Sequence, residues 1–204
     1  MEALPLSFMN SAIREIIETI ALAGFLFLLL HTSVQNYRVE GPSMFPQLED
    51  KELVLANKAV FLNVDLARAA RFLPWLNPVI GEQWFPFHPP EGGDVVVFQN
   101  PRDPAGADFV KRVIGEPGDV VEIVQGHVLV NGEKLDEPYL EEFSQDTYTA
   151  VTIPSDEYFV MGDNRRRSED SRHFGTVHRD NIIGKVWLSY WPLDQFGLVK
   201  AEAR

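Results

Sequence analysis

The sequence predicts a mainly β protein, built of antiparallel strands and preceded by a membrane-spanning helix. Three observations carry this prediction: one long apolar segment near the N-terminus, a series of short segments rich in Val and Ile after it, and Gly- and Asn-containing turn signals between strands. Strands joined by such short turns favour hairpins over βαβ crossovers, so we expect antiparallel sheets.

The apolar segment runs from Ile16 to Val34 and contains one formal charge, Glu18. At about 1.5 Å per residue, a helix of this length approaches the roughly 30 Å hydrocarbon thickness of a bilayer. A cleavable signal peptide fits less well, because acidic residues outnumber Arg14 in the flank and no small-x-small cleavage site follows. A buried core helix is the other alternative. We expect a membrane anchor, whose orientation is weakly indicated because Arg14 and Arg38 nearly balance across it.

Six segments after the anchor have the composition or the alternation of β-strands. The longest contains Gln125-Gly126 and Asn131-Gly132, which are hairpin turn signals. The segments are ELVLANK, DVVVF, DFVKRVI, DVVEIVQGHVLVNGEKL, YFVM and NIIGKVWLSYW.

One region interrupts the β pattern, at about residues 61–90. It combines apolar residues at helical spacing with Arg68, Arg71 and a crowd of aromatic side chains. It is either a basic amphipathic element that contacts the bilayer surface or an insertion that packs on its own β domain.

Composition excludes several classes of function. The chain of 204 residues has 18 basic and 30 acidic residues, a net charge of −12, which argues against a nucleic-acid partner. It has no cysteine, so disulfides, thiol catalysis and thiolate metal sites are excluded. Its five histidines show no metal-ligand spacing, and we expect neither a metal nor another cofactor.

A serine stands in a constrained stretch, VEGPSMFP, just after the apolar segment. Gly41, Pro42 and Pro46 restrict the backbone around Ser43, which suits a nucleophile that must be presented in one geometry. Ser43 fits neither G-x-S-x-G, because Phe45 takes the second glycine position, nor S-x-x-K, because Pro46 replaces the lysine. A serine alone is weak support, so a base is needed.

A candidate base, Lys111, lies in the strand-like stretch DFVKRVIGEPGD. By alternation it shares a face with Phe109 and Val113, and desolvation on an apolar face lowers the pKa of a lysine, because the charged form is disfavoured. Arginine is not deprotonated in proteins, which excludes Arg112 as the base. Alternation does not decide which face of the strand is buried, since Arg112 also has apolar neighbours. On spacing alone, a surface lysine is the commoner interpretation of Lys111.

A third stretch, MGDNRRRSEDSRHFG, is dense in hydrogen-bonding side chains. An apolar strand leads into it, and Phe174 and Gly175 close it. A solvated loop is the alternative interpretation, but a polar loop framed by strands is a common place for supporting residues.

Together, GPSMFP, FVKRVIGEPGD and GDNRRRSEDSRHFG, in this order after an N-terminal apolar segment, resemble the bacterial type I signal peptidases. The resemblance also covers LVLANK and GDVVVF, and extends from Tyr37 to Pro192 apart from the interrupting region. Each motif alone is modest evidence for this family, whereas the occurrence of all three in this order is specific to it. The resemblance implies a mainly β fold of coiled antiparallel sheets.

By position, the resemblance implies that Ser43 is the nucleophile and Lys111 the general base. It implies that Ser168 hydrogen-bonds and orients the lysine, and that the backbone N–H of Ser43 serves the oxyanion hole. Some members add a hydroxyl donor where this sequence has Gly41. Other supporting residues implied are Asp163, Asn164, Asp170 and Arg172, the last two as an ion pair. The residues implied to line pockets for small side chains are Tyr37, Val39, Met44 and Val110.

The implied substrates are signal peptides of exported preproteins, bound in extended form and cut after small residues in the pattern Ala-x-Ala. Because such a substrate is tethered in the bilayer by its own apolar segment, anchoring the enzyme there raises its effective concentration. The resemblance places a single-pass protein in the cell membrane. Residues 1–35 would form the cytoplasmic N-terminus and anchor, and residues 36–204 an extracytoplasmic peptidase domain with the insertion at about 61–90.

Two alternatives remain at the level of sequence. One is a serine peptidase in which His173 acts as the base for Ser43, with Asp170 behind it, although this leaves the lysine-containing motif unexplained. The other is a membrane-anchored β domain that binds secreted peptides without cleaving them. A protein of that kind would be marked by loss of Ser43 or Lys111, and both are present.

Overall fold

The computed structural model describes residues 6–58 and 89–201. Within these ranges one long helix, α1 (Leu6–Ser33), precedes twelve strands and a one-turn helix, α2 (Ser171–Phe174). The predicted insertion at 61–90 lies outside the described residues, except for its last two positions. The predicted division of the chain at residue 35 stays a prediction.

The strands in chain order are β1 (Val34–Arg38), β2 (Leu53–Asn57), β3 (Val95–Phe98), β4 (Phe109–Gly115), β5 (Val120–Val124), β6 (His127–Val130), β7 (Glu133–Lys134), β8 (Tyr148–Thr152), β9 (Glu157–Met161), β10 (Val177–His178), β11 (Ile182–Trp191) and β12 (Gly197–Leu198). Two short 3-10 helices, Arg179–Asn181 and Leu193–Gln195, flank β11.

The strands form two antiparallel sheets, so the prediction of a mainly β, antiparallel fold is confirmed. The larger sheet has the order β1-β2-β11-β3-β4-β9-β10, with β12 paired to β11, and the smaller has the order β7-β6-β5-β8. Register shifts along β11 mark irregularities against both of its neighbours, β2 and β3. Such bulges increase local twist and bend the strand, which curls the sheet.

The predicted hairpin turns lie within the smaller sheet. Gln125-Gly126 joins β5 to β6 and Asn131-Gly132 joins β6 to β7, and all four residues have positive φ, as tight hairpin turns of this kind require. Four strands have no counterpart among the predicted segments: β1, β8 and the two-residue strands β10 and β12. Among the described strands, β1 and β8 each end a sheet and leave most of their side chains partly or fully exposed, so neither shows a clear apolar alternation.

The predicted anchor is helical, since α1 covers Leu6–Ser33. Large apolar side chains along it are exposed, among them Ile17, Ile20 and Phe25, at 60–66%. Among the described residues, no helix combines the length and the apolar character needed to cross a membrane. The predicted transmembrane helix is therefore not shown by this structure.

The interior is organised around β4, which is buried on both faces from Lys111 to Gly115. Ile114 belongs to an apolar cluster with residues of the smaller sheet, whereas Val113 belongs to a cluster with β3, β9 and β10. A third cluster, which includes Met44, lies under the loop after β1. Neighbouring side chains of β4 thus point into different parts of the core.

Candidate active site

Ser43 and Lys111 come together from elements far apart in the chain. Ser43 lies in the loop that follows β1, and Lys111 lies near the start of β4. The Lys111 Nζ donates a hydrogen bond to the Ser43 Oγ at 2.9 Å and a second to the Val110 carbonyl at 2.8 Å. A hydroxyl and an amine at this distance are within reach of direct proton transfer.

Lys111 is only 4% exposed, and its Nζ lies 5.3 Å from the centre of the Phe109 ring. Burial lowers the pKa of Lys111 to about 8, because an ammonium group loses its hydration there, while Asp170, Asp163 and Glu169 partly oppose this effect. Lys111 is therefore desolvated, as expected from its apolar neighbours on the strand. Arg112 is also buried, so alternation alone had no means of separating the two.

The loop around Ser43 is held by hydrogen bonds on both sides. Gly41 has φ of +82°, a conformation that favours glycine, and its N–H donates to the Asp50 Oδ1 at 2.8 Å. The Asn164 N–H donates to the Ser43 carbonyl oxygen at 3.0 Å. No hydrogen bond among the described residues uses the Ser43 N–H. The oxyanion role implied for this donor by the resemblance stays a prediction.

Ser168 is buried, but it does not make the predicted hydrogen bond to Lys111. Its hydroxyl helps to lower the pKa of the nearby Asp170 carboxylate, yet no group among the described residues meets it in hydrogen-bond geometry. The hydroxyl packs instead against Gly162, where an added Cβ would overlap both Ser168 and the Ser43 carbonyl oxygen. Ser168 is therefore placed beside the nucleophile loop.

The predicted ion pair between Asp170 and Arg172 is present. The Arg172 Nη2 lies 2.8 Å from the Asp170 Oδ2, and the Asp170 side chain is fully buried. Burial alone would raise the pKa of Asp170, but the hydrogen bonds and charge of Arg172 outweigh it and hold the pKa below its ordinary value. Asp170 also accepts a hydrogen bond from the Gly162 N–H at 3.1 Å. The pair thus supports the turn that packs on Ser43.

Asp163 has a partner that the sequence did not identify. It forms a two-pronged salt bridge with Arg112, at 2.9 Å and 2.7 Å, and both side chains are fully buried. Arg112 also donates to the Gly93 carbonyl at 2.8 Å and stacks over the Tyr139 ring. Asp163 therefore joins β4 to the polar loop, residues 161–175. A buried arginine on an apolar strand requires a carboxylate partner, and that requirement was the signal available in the sequence.

A second buried ion pair, Arg165 with Glu137, was also missed. The Tyr139 hydroxyl donates to the same Glu137 carboxylate at 3.0 Å, and Arg165 donates to the Gly162 carbonyl at 3.1 Å. Burial raises the pKa of Tyr139, so its hydroxyl stays protonated as a donor. These contacts fasten the polar loop to the segment after β7.

A cleft of about 560 Å³ opens beside Ser43 and Lys111. Three of the four residues predicted to line pockets for small side chains lie on its wall: Tyr37, Val39 and Val110. Met44 does not line it, because its side chain is fully buried in the core under the loop. The prediction for Met44 as a lining residue is therefore wrong in this structure. Within this tight loop, Ser43 faces the cleft and Met44 faces the core.

Tyr37 places a polar group in this mainly apolar cleft. Burial raises the pKa of Tyr37 to about 12, and the charge of Asp108 adds to the effect. The Tyr37 hydroxyl is buried and has no partner in hydrogen-bond geometry among the described residues. It therefore remains a protonated donor at the wall of the cleft.

The alternative base, His173, makes no hydrogen bond or ion pair with Ser43 or Lys111 among the described residues. Its side chain is 54% exposed, its Nδ1 lies 3.9 Å from Asp170, and it does not line the cleft. Asp170 directs its strongest contacts to Arg172 instead. The arrangement therefore supports serine-based acyl transfer with a lysine base rather than a histidine base.

The comparisons with known proteins agree with this chemistry. The sequence profile of the family described as "Signal peptidase, peptidase S26" matches residues 13–191. The chain is similar to "Signal peptidase IB" of Staphylococcus aureus (strain COL), with 36% identity covering 92% of this chain and 94% of that protein. It is similar to "Signal peptidase I" of Leptolyngbya laminosa, with 32% identity covering 92% of this chain and 84% of that protein.

A third relative matches over a shorter length. "Probable signal peptidase I-2" of a Synechocystis strain is 43% identical over 119 residues, which are 56% of this chain and 54% of that protein.

Proposed function

The chain belongs to the signal peptidase family, peptidase S26, and we propose that it removes signal peptides from exported preproteins by acyl transfer through Ser43 and Lys111. One observation carries the assignment of the residues: the Lys111 Nζ, whose pKa is lowered to about 8, lies 2.9 Å from the Ser43 Oγ. A lysine base must be neutral to accept a proton, and burial provides this.

In the first half of the reaction, neutral Lys111 takes the proton of Ser43 as the hydroxyl oxygen attacks the scissile carbonyl. The N–H of Ser43 stabilises the negative charge that develops on the carbonyl oxygen. The protonated lysine then gives its proton to the leaving amine, and the mature protein departs. The signal peptide stays attached to Ser43 as an ester.

In the second half, Lys111 accepts a proton from the water that attacks the ester, and it returns that proton to the Ser43 oxygen as the signal peptide leaves. Both halves use the same base, so its position must stay fixed throughout. The buried partners Asp163 and Arg112 join its strand to the polar loop. Asn164 fixes the nucleophile loop against the same polar loop.

The cleft favours small apolar side chains next to the cut bond. Tyr37, Val39 and Val110 line it near Ser43, and Tyr37 lies on β1, the terminal strand of the larger sheet. A substrate in extended form would add, through backbone hydrogen bonds, to this edge, which no other described strand covers, while alternate side chains enter the pockets. This supports cleavage after the pattern Ala-x-Ala.

We also propose that α1 lies in the bilayer as a single-pass anchor, with the β domain on the extracytoplasmic side. The exposed side chains of α1 support this, because apolar side chains on most sides of a helix are unfavourable in water. We further propose that the region at about 61–90 contacts the bilayer surface, and deletion of residues 63–77 tests this against the alternative that the region packs on the β domain. The deletion should weaken cleavage of a preprotein in vesicles more than cleavage of a short soluble peptide.

The assay incubates the detergent-solubilised full chain with a labelled preprotein and maps the cut by N-terminal sequencing of the product. The wild type should cut once, after Ala-x-Ala or a similar pair of small residues. Ser43→Ala should abolish cleavage without unfolding the protein, and Ser155→Ala, at an exposed serine, serves as the control. Ser43→Ala activity above about a hundredth of wild type would overturn the nucleophile. Binding of the preprotein without any cut by the wild type would favour the non-catalytic alternative.

A further inference from the structure

Another cavity, of about 410 Å³, shares a lining side chain with the cleft. We call it the groove; its lining residues are Phe45, Glu141, Glu142, Asp163, Asn164, Arg166 and Arg167. Arg167 lines both the cleft and the groove, so the two spaces meet at this side chain. Ser43 lines the cleft, and Phe45, two residues further along the same loop, lines the groove.

The charged groups of the groove differ in whether they are already paired. Asp163 is bound by Arg112, and Arg166 pairs with Glu142 at 3.1 Å. Arg167 is exposed and makes no ion pair with any residue that the structure describes. Its guanidinium is therefore free to bind a ligand at the point where the groove meets the cleft.

The direction of the substrate follows from the two linings. The apolar cleft suits the small residues that precede the cut bond, and the scissile carbonyl must lie at the Ser43 Oγ. The residues that follow the bond must leave on the opposite side, along Phe45 and Asn164. This side is polar and carries the unpaired Arg167.

Resting on the proposed function, we propose that the groove receives the first residues of the mature protein and that Arg167 selects substrates with a carboxylate side chain there. Arginine binds carboxylates through two parallel hydrogen bonds, which gives a geometric as well as an electrostatic preference. Because Arg167 is exposed, the preference is modest, about 2- to 5-fold in kcat/KM. Glu141, at the part of the groove shared with another cavity, would disfavour a second acidic residue further along.

The experiment uses the full chain and pairs of synthetic peptides that share one Ala-x-Ala sequence. Within a pair, Asp replaces Asn at the first or at the second position after the cut, so the two peptides differ in charge and hardly in shape. The wild type should cleave the Asp peptide of one pair about 2- to 5-fold faster at low salt, and this difference should shrink at high salt. Arg167→Gln should remove the preference, and Arg167→Glu should reverse it in favour of a Lys peptide.

Lys134→Gln is the matched control, because it removes one positive charge from an exposed position on the smaller sheet. It should retain both the rate and the preference. Equal cleavage of all peptides by the wild type, or a preference that survives in Arg167→Gln, would overturn the inference while leaving the peptidase assignment intact. Failure of the wild type to cut any of the peptides would overturn both.

Discussion

Gly162 packs directly on the carbonyl oxygen of Ser43, with no space for a Cβ between the two residues. Gly162→Ala should therefore displace the nucleophile loop or the Ser168 side chain. A misplacement of about 1 Å at a reacting group can cost about 100-fold in rate, and overpacking typically costs about 1–3 kcal/mol of stability. We expect a fall in kcat of this order in a protein that still folds.

The control for this substitution is Gly197→Ala. A Cβ at Gly197 meets no atom within 4 Å and its φ is ordinary, so this variant should retain wild-type rate and stability. Equal effects of the two substitutions on kcat would contradict the role of Gly162.

The pH profile should report the base directly. The value of kcat/KM should fall below pH 8, because Lys111, with a pKa of about 8, becomes protonated there and cannot accept a proton. With a histidine base, the fall in kcat/KM on the acidic side would be centred at a pH of about 6.5. Lys111→Arg should be as inactive as Lys111→Met, since guanidinium keeps its proton. A fall centred at a pH of about 6.5, together with an active Lys111→Met variant, would support the histidine alternative instead.

Burial of Lys111 should lower the free energy of unfolding at neutral pH. Between the folded pKa of about 8 and the ordinary value of 10.5, the unfolded chain binds a proton that the folded protein does not, so the free energy of unfolding rises with pH. Below pH 8 the full penalty applies. Lys111→Met should thus stabilise the protein at pH 7, by about 1–3 kcal/mol after the loss of the Nζ hydrogen bonds.

Denaturant unfolding of wild type and Lys111→Met at a series of pH values measures this difference. It should shrink as pH rises from 8 towards 10.5. Lys134→Met, at an exposed position, provides the control with little change at any pH. A Lys111→Met variant that is less stable than wild type at pH 7 would show that burial of the amine is not the dominant effect.

The ion pairs Asp163–Arg112 and Glu142–Arg166 should contribute very different amounts to the free energy of unfolding. Asp163→Ala leaves the fully buried Arg112 without the carboxylate that binds it in two places, and removing one partner of a buried pair costs about 3–5 kcal/mol. Glu142→Ala breaks an exposed pair with Arg166 and should cost about 0–1 kcal/mol. Thermal or chemical unfolding measures both, and similar losses would contradict the buried role of Asp163.

Ser168 should matter more to the rate than His173. Ser168 is buried against Gly162 beside the nucleophile loop, whereas the His173 side chain is largely exposed and does not line the cleft. Ser168→Ala, which removes a hydroxyl packed beside the nucleophile loop, should therefore lower kcat more than His173→Ala does. The opposite order in steady-state kinetics would show that the polar loop acts through the histidine.

The sequence predicted the fold well where strands have a buried face and their ends have turn chemistry. The Asn131-Gly132 hairpin, the apolar β3 and the alternating β11 illustrate this. It failed for β1 and β8, because an edge strand with largely exposed side chains has no apolar period to detect. It also had no means of ordering the strands across two sheets, since pairings such as β11 with β2 and β3 join residues distant in sequence.

For the site, local sequence identified residues but not their partners. Ser43 and Lys111 were proposed through three motifs, and the structure brings them within hydrogen-bond distance. The Arg112–Asp163 bridge was missed because alternation cannot distinguish a strand buried on both faces from one buried on a single face. Met44 was assigned to the pocket by its position in the resemblance, but its side chain is fully buried, since successive residues of a tight loop point in different directions.

The junction between α1 and β1 bears on the distance between the membrane and the cleavage site. The helix ends at Ser33, β1 begins at Val34 without a connecting loop, and the Ser33 carbonyl accepts a hydrogen bond from the Lys58 N–H at 2.7 Å. The five residues of β1 span about 16 Å at about 3.3 Å per residue. With α1 held in the bilayer as proposed, this short strand limits the distance between the membrane and the loop that carries Ser43. The chain between the end of α1 and Ser43 is short, which limits how far the nucleophile lies from the membrane and how far a substrate's cut lies from its apolar segment.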